Sequence, residues 1–360
     1  MYPFVYQSLP LRVVFGEGAS ARLADEADLL TVRRALVLTT AGHERLGREM
    51  AERLGGRFAG LFAGAVMHTP VGVTEEAVRR AADAKADGVV AVGGGSTIGL
   101  GKAISLRTGL PQIAIPTTYA GSEMTPILGQ TRDGVKTTQS ASKILPKTVI
   151  YDVDLTLSLP VSIAAVSGMN AMAHSVEALY AKDRNPIISL MATEAIRALA
   201  GALPDIARAP DDRDARSRAL YGAWLSGVCL GSVGMALHHK LCHVLGGTFN
   251  LPHAETHAIV LPHAMAYNST AVPDVDRHLA EILGVSESSA GLYAFSRQLG
   301  IPAGLREIGM AESGIDRAAD LAMADPYWNP RPLKRGAIQD LIARAWAGEP
   351  PAAEGQPRQR

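Results

Sequence analysis

The sequence has few cysteines, no excess of either charge and no clustered basic residues. Its only thiols, Cys229 and Cys242, argue against a disulfide framework and for a reducing compartment, so we expect a cytoplasmic protein. Lysine plus arginine equals aspartate plus glutamate at 35 each, and no basic run is interleaved with aromatic residues. A nucleic-acid partner is therefore not expected.

Long apolar runs are also missing. No stretch approaches the length of a transmembrane helix, and the N-terminal residues MYPFVYQSLP lack the basic and apolar regions of a signal peptide. We therefore expect no membrane partner. What the chain does contain is 360 residues of which 47% are hydrophobic, enough to bury the cores of two domains.

The first 159 residues alternate between strand and helix patterns. RVVFG (12–16), ALVLTT (35–40) and GVVAVG (88–93) are short apolar strands, and VTEEAVRRAADAKA (73–86) predicts a helix that begins with Thr74 as its cap. This alternation predicts parallel βαβ units with helices on both faces of the sheet, that is, a Rossmann-like α/β domain over residues 1–159.

After Leu159 the strand patterns give way to long segments rich in alanine, leucine and methionine. We therefore predict a second, helical domain over residues 160–348. The remaining residues, 349–360, are rich in proline and glutamine and are predicted to form a disordered tail.

Three consecutive glycines, Gly93, Gly94 and Gly95, lie between a buried strand and a helix. Glycine lets backbone N–H groups approach an anion closely, Ser96 can cap the helix, and the helix N-terminus adds a positive dipole. The arrangement suits a pyrophosphate. The alternative is a tight left-handed turn that binds no ligand.

Two threonines end the next strand. Thr117 and Thr118, in IPTTYAGSEMT, would emerge at its carboxyl end beside the glycine turn, where open α/β sheets bind ligands. β-branched residues also occur at strand ends for packing alone. The turn and the threonines together favour a dinucleotide cofactor, with Lys102 on the intervening helix as a further candidate contact.

Histidines are concentrated in the second half of the chain. GMNAMAHSVEA places Asn170 and His174 four residues apart, and a second segment places His239 and His243 four apart, with His253 after a turn. A lone histidine is most often a satisfied polar group, but two such pairs and a third segment indicate a site. A zinc-protease helix is excluded, because a lysine follows His239 where a glutamate would act as base. We assign structural or supporting roles to the remaining candidates, His238, His257 and His263.

These motifs resemble the iron-containing alcohol dehydrogenase family. GGGS, PTT with GSE, a helix carrying x-x-x-His, and H-x-x-x-H followed by N-x-P-H span nearly the whole chain. The resemblance implies a dehydroquinate synthase-like fold, a homodimer, and an active site in the cleft between the nucleotide-binding and helical domains. That family holds a metal ion with one aspartate and three histidines. The matching positions are Asn170, His174, His239 and His253, and a further active-site histidine matches His243.

The sequence departs from the family at three positions. Asn170 replaces the metal-binding aspartate, Gly99 replaces the aspartate of GGGS-x-x-D, and Thr40 stands where an acidic residue often holds the adenosine ribose. The first departure, with PTTYAGSEMTPI and HHKLCHVLGGTFNLPHAETHA, resembles the maleylacetate reductases. That resemblance implies reduction of the carbon–carbon double bond of maleylacetate, a dicarboxylate, to 3-oxoadipate in bacterial degradation of aromatic compounds. Thr40 predicts that both NADH and NADPH are used.

The amide at residue 170 predicts a reaction that needs no metal ion. A neutral amide binds a divalent ion more weakly than a carboxylate does. Hydride addition to an enone gives a delocalised enolate, which hydrogen-bond donors stabilise without a Lewis acid. We expect the histidines to become cationic and to bind the enolate and the substrate carboxylates. Two alternatives stay open: a metal-dependent alcohol dehydrogenase in which Asn170 ligates the ion, and a nucleotide-binding module without catalysis.

Overall fold

The computed structural model describes residues 3–132 and 135–352. The chain divides into two compact units, one formed by Ser8–Leu159 and the other by residues 3–7 together with 160–352. Residues 353–360 of the predicted tail lie outside the described residues.

The first unit is an α/β structure built on a parallel sheet. Six strands form this sheet in the order β1-β8-β5-β4-β2-β3, and β6 and β7 form a separate antiparallel pair. The strands are β1 (Arg12–Gly16), β2 (Ala35–Leu38), β3 (Phe58–Phe62), β4 (Gly88–Gly93), β5 (Gln112–Pro116), β6 (Ile127–Arg132), β7 (Val135–Ser140) and β8 (Thr148–Asp152). The helices are α1 (Leu23–Leu29), α2 (Glu44–Leu54), α3 (Val71–Asp83) and α4 (Gly95–Thr108).

The apolar run of β4 is buried on both faces, as a central parallel strand requires. Val90 and Val92 pack into a cluster that includes residues of α1 and α2. Val89 and Ala91, which alternate with them, pack into a second cluster with residues of α3 and α4. The prediction of a parallel sheet covered by helices on both faces is therefore confirmed.

The start of α3 differs from the prediction. The helix begins at Val71, and Thr74 lies inside its first turns, where its hydroxyl donates to the Pro70 carbonyl oxygen at 3.1 Å. Pro70 precedes the helix, and its carbonyl also accepts the Thr74 N–H, so the proline and not the threonine marks the boundary.

The second unit is helical. It contains α5 (Val161–Tyr180), α6 (Pro186–Arg208), α7 (Arg213–Ser232), α8 (Leu237–Phe249), α9 (His253–Asn268), α10 (Pro273–Leu283), α11 (Ser288–Gln298), α12 (Gly314–Ala324) and α13 (Arg335–Ala347). α5 is buried on every side from Ala164 to Tyr180 and packs against α6, α7 and α9. Because α5 is enclosed on every side, it carries its polar residues into the interior of this unit.

One described helix reaches membrane-spanning length and hydrophobicity, contrary to our reading of the sequence. This helix is α6. Helices α7 and α8 reach the required length and hydrophobicity only when they are counted as one span, although a bend of 95° lies between them. α6 buries Ile188, Ile196 and Leu203 and packs along α5 and α7. Core helices of globular proteins meet the same criteria, so its length and composition do not indicate a membrane span.

Candidate functional site

In the α/β unit, the predicted glycine and threonine residues lie side by side. Strand β4 is bordered by β5 and β2 in the parallel sheet, so the carboxyl ends of all three strands share one edge. The Thr117 N–H donates to the Gly93 carbonyl oxygen at 3.1 Å. A Cβ placed on Gly94 would lie 3.2 Å from Thr118 Cγ2. The structure thus brings the glycine turn and both threonines together.

The three glycines serve different purposes. Gly93 has φ +145°, and an added Cβ would lie 2.7 Å from the Thr97 hydroxyl, so this position is structural. Gly94 precedes the helix in an extended conformation. Gly95 is exposed at the first position of α4, and an added Cβ would meet no atom within 4 Å. Gly95 therefore offers an open backbone surface at a helix N-terminus, as an anion site needs.

Ser96 does not cap α4. Gly94 occupies the capping position, no side chain caps the helix, and Ser96 is the second helical residue. Its hydroxyl still lies in the first turn, and its side chain is partly exposed. The predicted cap is therefore wrong, while a direct contact from Ser96 to a bound phosphate stays a prediction.

Replacing Gly95 with valine is expected to raise the KM for the nucleotide by roughly tenfold or more, about 1.4 kcal/mol of binding free energy. The added side chain enters open space, so the melting temperature of the ligand-free protein should change little. Steady-state kinetics and a thermal scan measure the two effects. Gly93→Ala is the matched control and should lower the melting temperature, because its Cβ meets Thr97. Equal loss of stability in both variants would mean that Gly95 is structural as well.

Lys102 does not point toward the glycine turn. Its side chain is fully buried, and its ammonium group donates to the Ser122 and Ile127 carbonyl oxygens and to the Thr125 hydroxyl. Burial lowers its pKa to about 7, and the nearby carboxylate of Glu123 opposes that shift. The prediction of Lys102 as a nucleotide contact is therefore wrong. It fixes the segment after β5 from inside the unit.

Gly99 has a packing explanation. A Cβ at this position would lie 2.7 Å from the Thr69 hydroxyl oxygen. Thr69 is itself buried and has φ +45°, a backbone conformation that is costly for a β-branched residue. The space that an aspartate side chain would need is therefore occupied by the Thr69 side chain.

In the helical unit, three histidines from three helices meet. His174 on α5, His239 on α8 and His257 on α9 are buried, and each can present a ring nitrogen within 4.8 Å of the others. The His239 ring centroid lies 5.1 Å from that of His174 and 4.9 Å from that of His257. Neutral imidazoles at such spacing can surround a small polar group or a divalent ion.

Polar atoms of this cluster are buried without hydrogen-bond partners in the described part of the chain. They are Asn170 Oδ1, His174 Nδ1, His239 Nε2 and both ring nitrogens of His257. Most buried polar groups in proteins are paired, because leaving one unpaired costs about 1–3 kcal/mol. The unpaired nitrogens of the three converging histidines indicate that this interior binds a polar ligand. Asn170 and His174 lie one turn apart on α5, as their spacing predicts.

His257 lies beside His253 at the histidine cluster, which the sequence analysis did not predict. His253 is the exposed first residue of α9, and its ring lies tilted against that of His257, with ring centroids 4.2 Å apart. His257 lies one helical turn further on, fully buried beside His239. The three-histidine group thus contains His257, which we expected to be a supporting residue, and the site role of His253 stays a prediction. The i,i+4 spacing of HAETH was the signal that could have found it.

Burial lowers the pKa of the enclosed imidazoles. It is the largest cause for His174, His239 and His257, and neighbouring imidazoles lower their pKa values further. Burial also lowers the pKa of His238 to about 4. The lowered pKa values of these four residues disfavour a positive charge on their rings, contrary to the expectation of cationic histidines.

The sequence analysis did not predict two further residues of this site. Glu177 on α5 is fully buried and accepts a hydrogen bond from His239 Nδ1 at 2.7 Å. Tyr327 Oη lies 2.9 Å from His243 Nδ1, and burial raises the pKa of this tyrosine. His239 and His243, two of the three histidines on α8, are thus each oriented through the Nδ1 atom. Glu177 follows Asn170 by seven residues, a helical spacing that could have indicated it.

Comparison with known proteins gives matches along both units. The model for iron-containing alcohol dehydrogenase matches residues 10–153, and that for the C-terminal part of the Fe-containing alcohol dehydrogenase family matches residues 164–346. The chain is 56% identical to the maleylacetate reductase of Rhizobium sp. (strain MTP-10005), with coverage of 98% of this chain and 100% of that protein. Identity to the maleylacetate reductase of Sphingobium indicum is 52%, with coverage of 97% and 99%. The crystal structure of maleylacetate reductase from Agrobacterium tumefaciens superposes with a TM-score of 0.94 at 55% identity and covers 98% of this chain and 100% of that one.

Proposed function

The chain belongs to the iron-containing alcohol dehydrogenase family, and from this membership we propose that it uses NADH or NADPH to reduce the carbon–carbon double bond of maleylacetate to 3-oxoadipate. The nearly full-length similarity to maleylacetate reductases supports this activity over a general alcohol dehydrogenase. The structural observation that carries the proposal is the neutral amide of Asn170, buried with its oxygen unpaired among the described residues.

The amide suits a dianionic enone substrate. A carboxylate at residue 170 would repel the substrate's own carboxylates at short range, whereas an amide oxygen does not. The product of hydride addition is an enolate, whose charge is delocalised and needs less stabilisation than an alkoxide. Asn170 therefore removes a repulsive charge at a point where the reaction does not require one.

The residues have separate tasks in this reaction. Bound NADH or NADPH supplies the hydride, which adds to the enone carbon remote from the ketone, and one proton completes the reduction. Gly95 and Thr118 are the proposed contacts to the nucleotide phosphates. The buried imidazoles exclude water around the substrate oxygen, and His243, oriented by Tyr327, is the proposed hydrogen-bond donor to the enolate.

The donor set of the cluster also fits a divalent ion. His174, His239 and His257 form a three-imidazole group of the kind that binds zinc, and a bound ion would polarise a substrate oxygen as a Lewis acid. We propose that turnover of maleylacetate does not require this ion. Support comes from the missing carboxylate ligand at residue 170 and from the low basicity of an enolate.

The activity is tested by following NADH or NADPH consumption with maleylacetate and by identifying 3-oxoadipate as the product. A metal-dependent alcohol dehydrogenase would instead oxidise primary alcohols or 1,2-diols with NAD⁺ once Fe²⁺ or Zn²⁺ is added. A nucleotide-binding module would bind NADH and turn over neither class of substrate. Alcohol oxidation without maleylacetate reduction would refute the proposed function.

NADPH is expected to be used with a kcat/KM within roughly a thousandfold of that for NADH (about 4 kcal/mol). Thr40 follows the carboxyl end of β2, and its hydroxyl lies 2.8 Å from His43 Nδ1. Because threonine carries no carboxylate, this residue does not repel a 2′-phosphate. Thr40→Asp should raise the NADH preference at least tenfold, while the neutral Thr40→Asn should not. The measurement is kcat/KM for both cofactors in all three proteins, and equal preferences throughout would place the ribose contact elsewhere.

We also propose that the enzyme acts in the cytoplasm, in agreement with two free, buried thiols. The homodimer implied by the resemblance stays a prediction. Its test is light scattering of the purified protein at several concentrations.

A further inference from the structure

Glu177 places a buried carboxylate directly behind the histidine cluster. It lies three residues after His174 on α5 and has no exposed surface. From its contacts we infer that Glu177 is a positioning residue, which holds His239 in the Nδ1-protonated form so that Nε2 faces the reacting groups as a lone pair. This inference rests on the proposed function for the meaning of the site, although its central observation does not depend on turnover.

The carboxylate is held by three N–H groups from the start of α8. Its Oε2 accepts from the Ala236 N–H at 2.9 Å and from His239 Nδ1 at 2.7 Å, and its Oε1 accepts from the His238 N–H at 2.8 Å. Ala236 occupies the capping position of α8 and has no side chain that could cap it. Glu177 therefore caps α8 from another helix and fixes its own two oxygens in the process.

This fixed carboxylate determines the tautomer of His239. Burial raises the pKa of Glu177, but the N–H groups that donate to both of its oxygens stabilise the ionised form. An ionised carboxylate only accepts hydrogen bonds, so the ring nitrogen that faces it carries the proton. In a neutral imidazole the other nitrogen is then an acceptor, and His239 Nε2 is the buried atom that has no partner in the described residues. It belongs to the group of nitrogens shared with His174 and His257. Glu177 thus decides whether His239 offers a lone pair or an N–H to this group.

The site keeps one carboxylate near the histidine cluster, although residue 170 is a neutral amide. Asn170 removes a carboxylate from the position that would face the substrate, whereas Glu177 keeps one seven residues later on the same helix, separated from the cluster interior by the His239 ring. A carboxylate behind an imidazole orients it and increases its basicity without occupying the substrate's space. The site therefore retains an anionic group that acts through His239.

The test is Glu177→Gln, with the histidine rings labelled with ¹⁵N. With its oxygen in the place of Oε1, the glutamine can still accept from the His238 N–H, and its NH₂ group can donate to His239 Nδ1 and so favour the Nε2–H tautomer. The Ala236 N–H, which donates to Oε2 in the wild type, then loses its acceptor. Long-range ¹H–¹⁵N spectra distinguish the two tautomers, and a His239→Gln variant assigns the signals. We expect Nδ1–H in the wild type and Nε2–H in Glu177→Gln. With maleylacetate, kcat should fall on the order of a hundredfold or more while the KM for NADH changes less than threefold.

Asp183→Asn is the matched control. The Asp183 carboxylate accepts from the Gly234 N–H at 2.9 and 3.2 Å, so it holds the same connection between α7 and α8 but is exposed and contacts the backbone. This variant should keep the wild-type tautomer and a kcat within twofold. An equal fall of kcat in both variants, with the His239 tautomer unchanged, would show that Glu177 only supports the fold.

The wild-type spectrum alone also decides the matter if Glu177→Gln does not fold. Nε2–H on His239 in the wild-type protein would overturn the inference. A wild type with Nδ1–H that fails to reduce maleylacetate would support the positioning role and refute the proposed function, so the two failures are distinguishable.

Discussion

His243→Ala is expected to lower kcat for maleylacetate by roughly a hundredfold or more, the usual contribution of a general acid or hydrogen-bond donor in the transition state. His243 lies one turn after His239 on α8, and its ring is oriented by the hydrogen bond between its Nδ1 and Tyr327 Oη. The nucleotide contacts that we propose lie in the α/β unit. The affinity for NADH, measured by fluorescence titration, should therefore change little.

Tyr327→Phe tests how much the orientation of the His243 ring contributes to kcat, separately from the presence of the ring. It removes the hydroxyl 2.9 Å from His243 Nδ1 but leaves the histidine in place, so kcat should fall less than in His243→Ala. Wild-type kcat in His243→Ala would remove this histidine from the mechanism. A parallel loss of NADH affinity would instead indicate a general disturbance of the protein.

Asn170→Asp is expected to lower the reductase activity and to raise the affinity for a divalent metal ion. The aspartate adds an anionic oxygen next to three neutral imidazoles, which should tighten Zn²⁺ or Fe²⁺ binding at least tenfold. It should also lower kcat/KM for maleylacetate by roughly a hundredfold, because the new charge repels a dianionic substrate and a bound ion occupies its space. Isothermal titration with Zn²⁺ and steady-state assays measure the two changes, which should appear together.

The wild-type protein should keep its activity after exhaustive chelation. Asn170→Ala is the control for the loss of the amide alone, since it adds no charge and should not gain metal affinity. Chelation that abolishes wild-type turnover, with recovery on addition of Zn²⁺ or Fe²⁺, would make Asn170 a working ligand. The metal-dependent dehydrogenase would then be the better description.

Regular local patterns predicted the fold well. Strands β1 and β4 have the predicted boundaries, because their apolar runs are short and are bounded by polar residues and glycines. The i,i+4 pairing of Asn170 with His174 was also readable, since a helix without breakers fixes which residues share a face. These features depend on neighbours along the chain, which a sequence displays directly.

Features set by tertiary packing could not be read in this way. His253 and His257 both fit a helical face, and only the position at which α9 begins leaves the first exposed and buries the second. Lys102 lies in the middle of α4, where every residue from 97 to 105 is buried, so its direction depends on the acceptors beyond β5. Glu177 resembles the many glutamates on helix surfaces until the packing of α8 against it is known.

The burial of α5 bears on how such a site evolves. The helix is enclosed along most of its length, so a substitution that changed side-chain volume at residue 170 would disturb several neighbouring helices at once. Asparagine and aspartate have almost the same size and shape, and their codons differ by a single nucleotide. An ancestral lineage could therefore cross between the two chemistries in one mutational step without repacking its interior, and selection would act on charge alone.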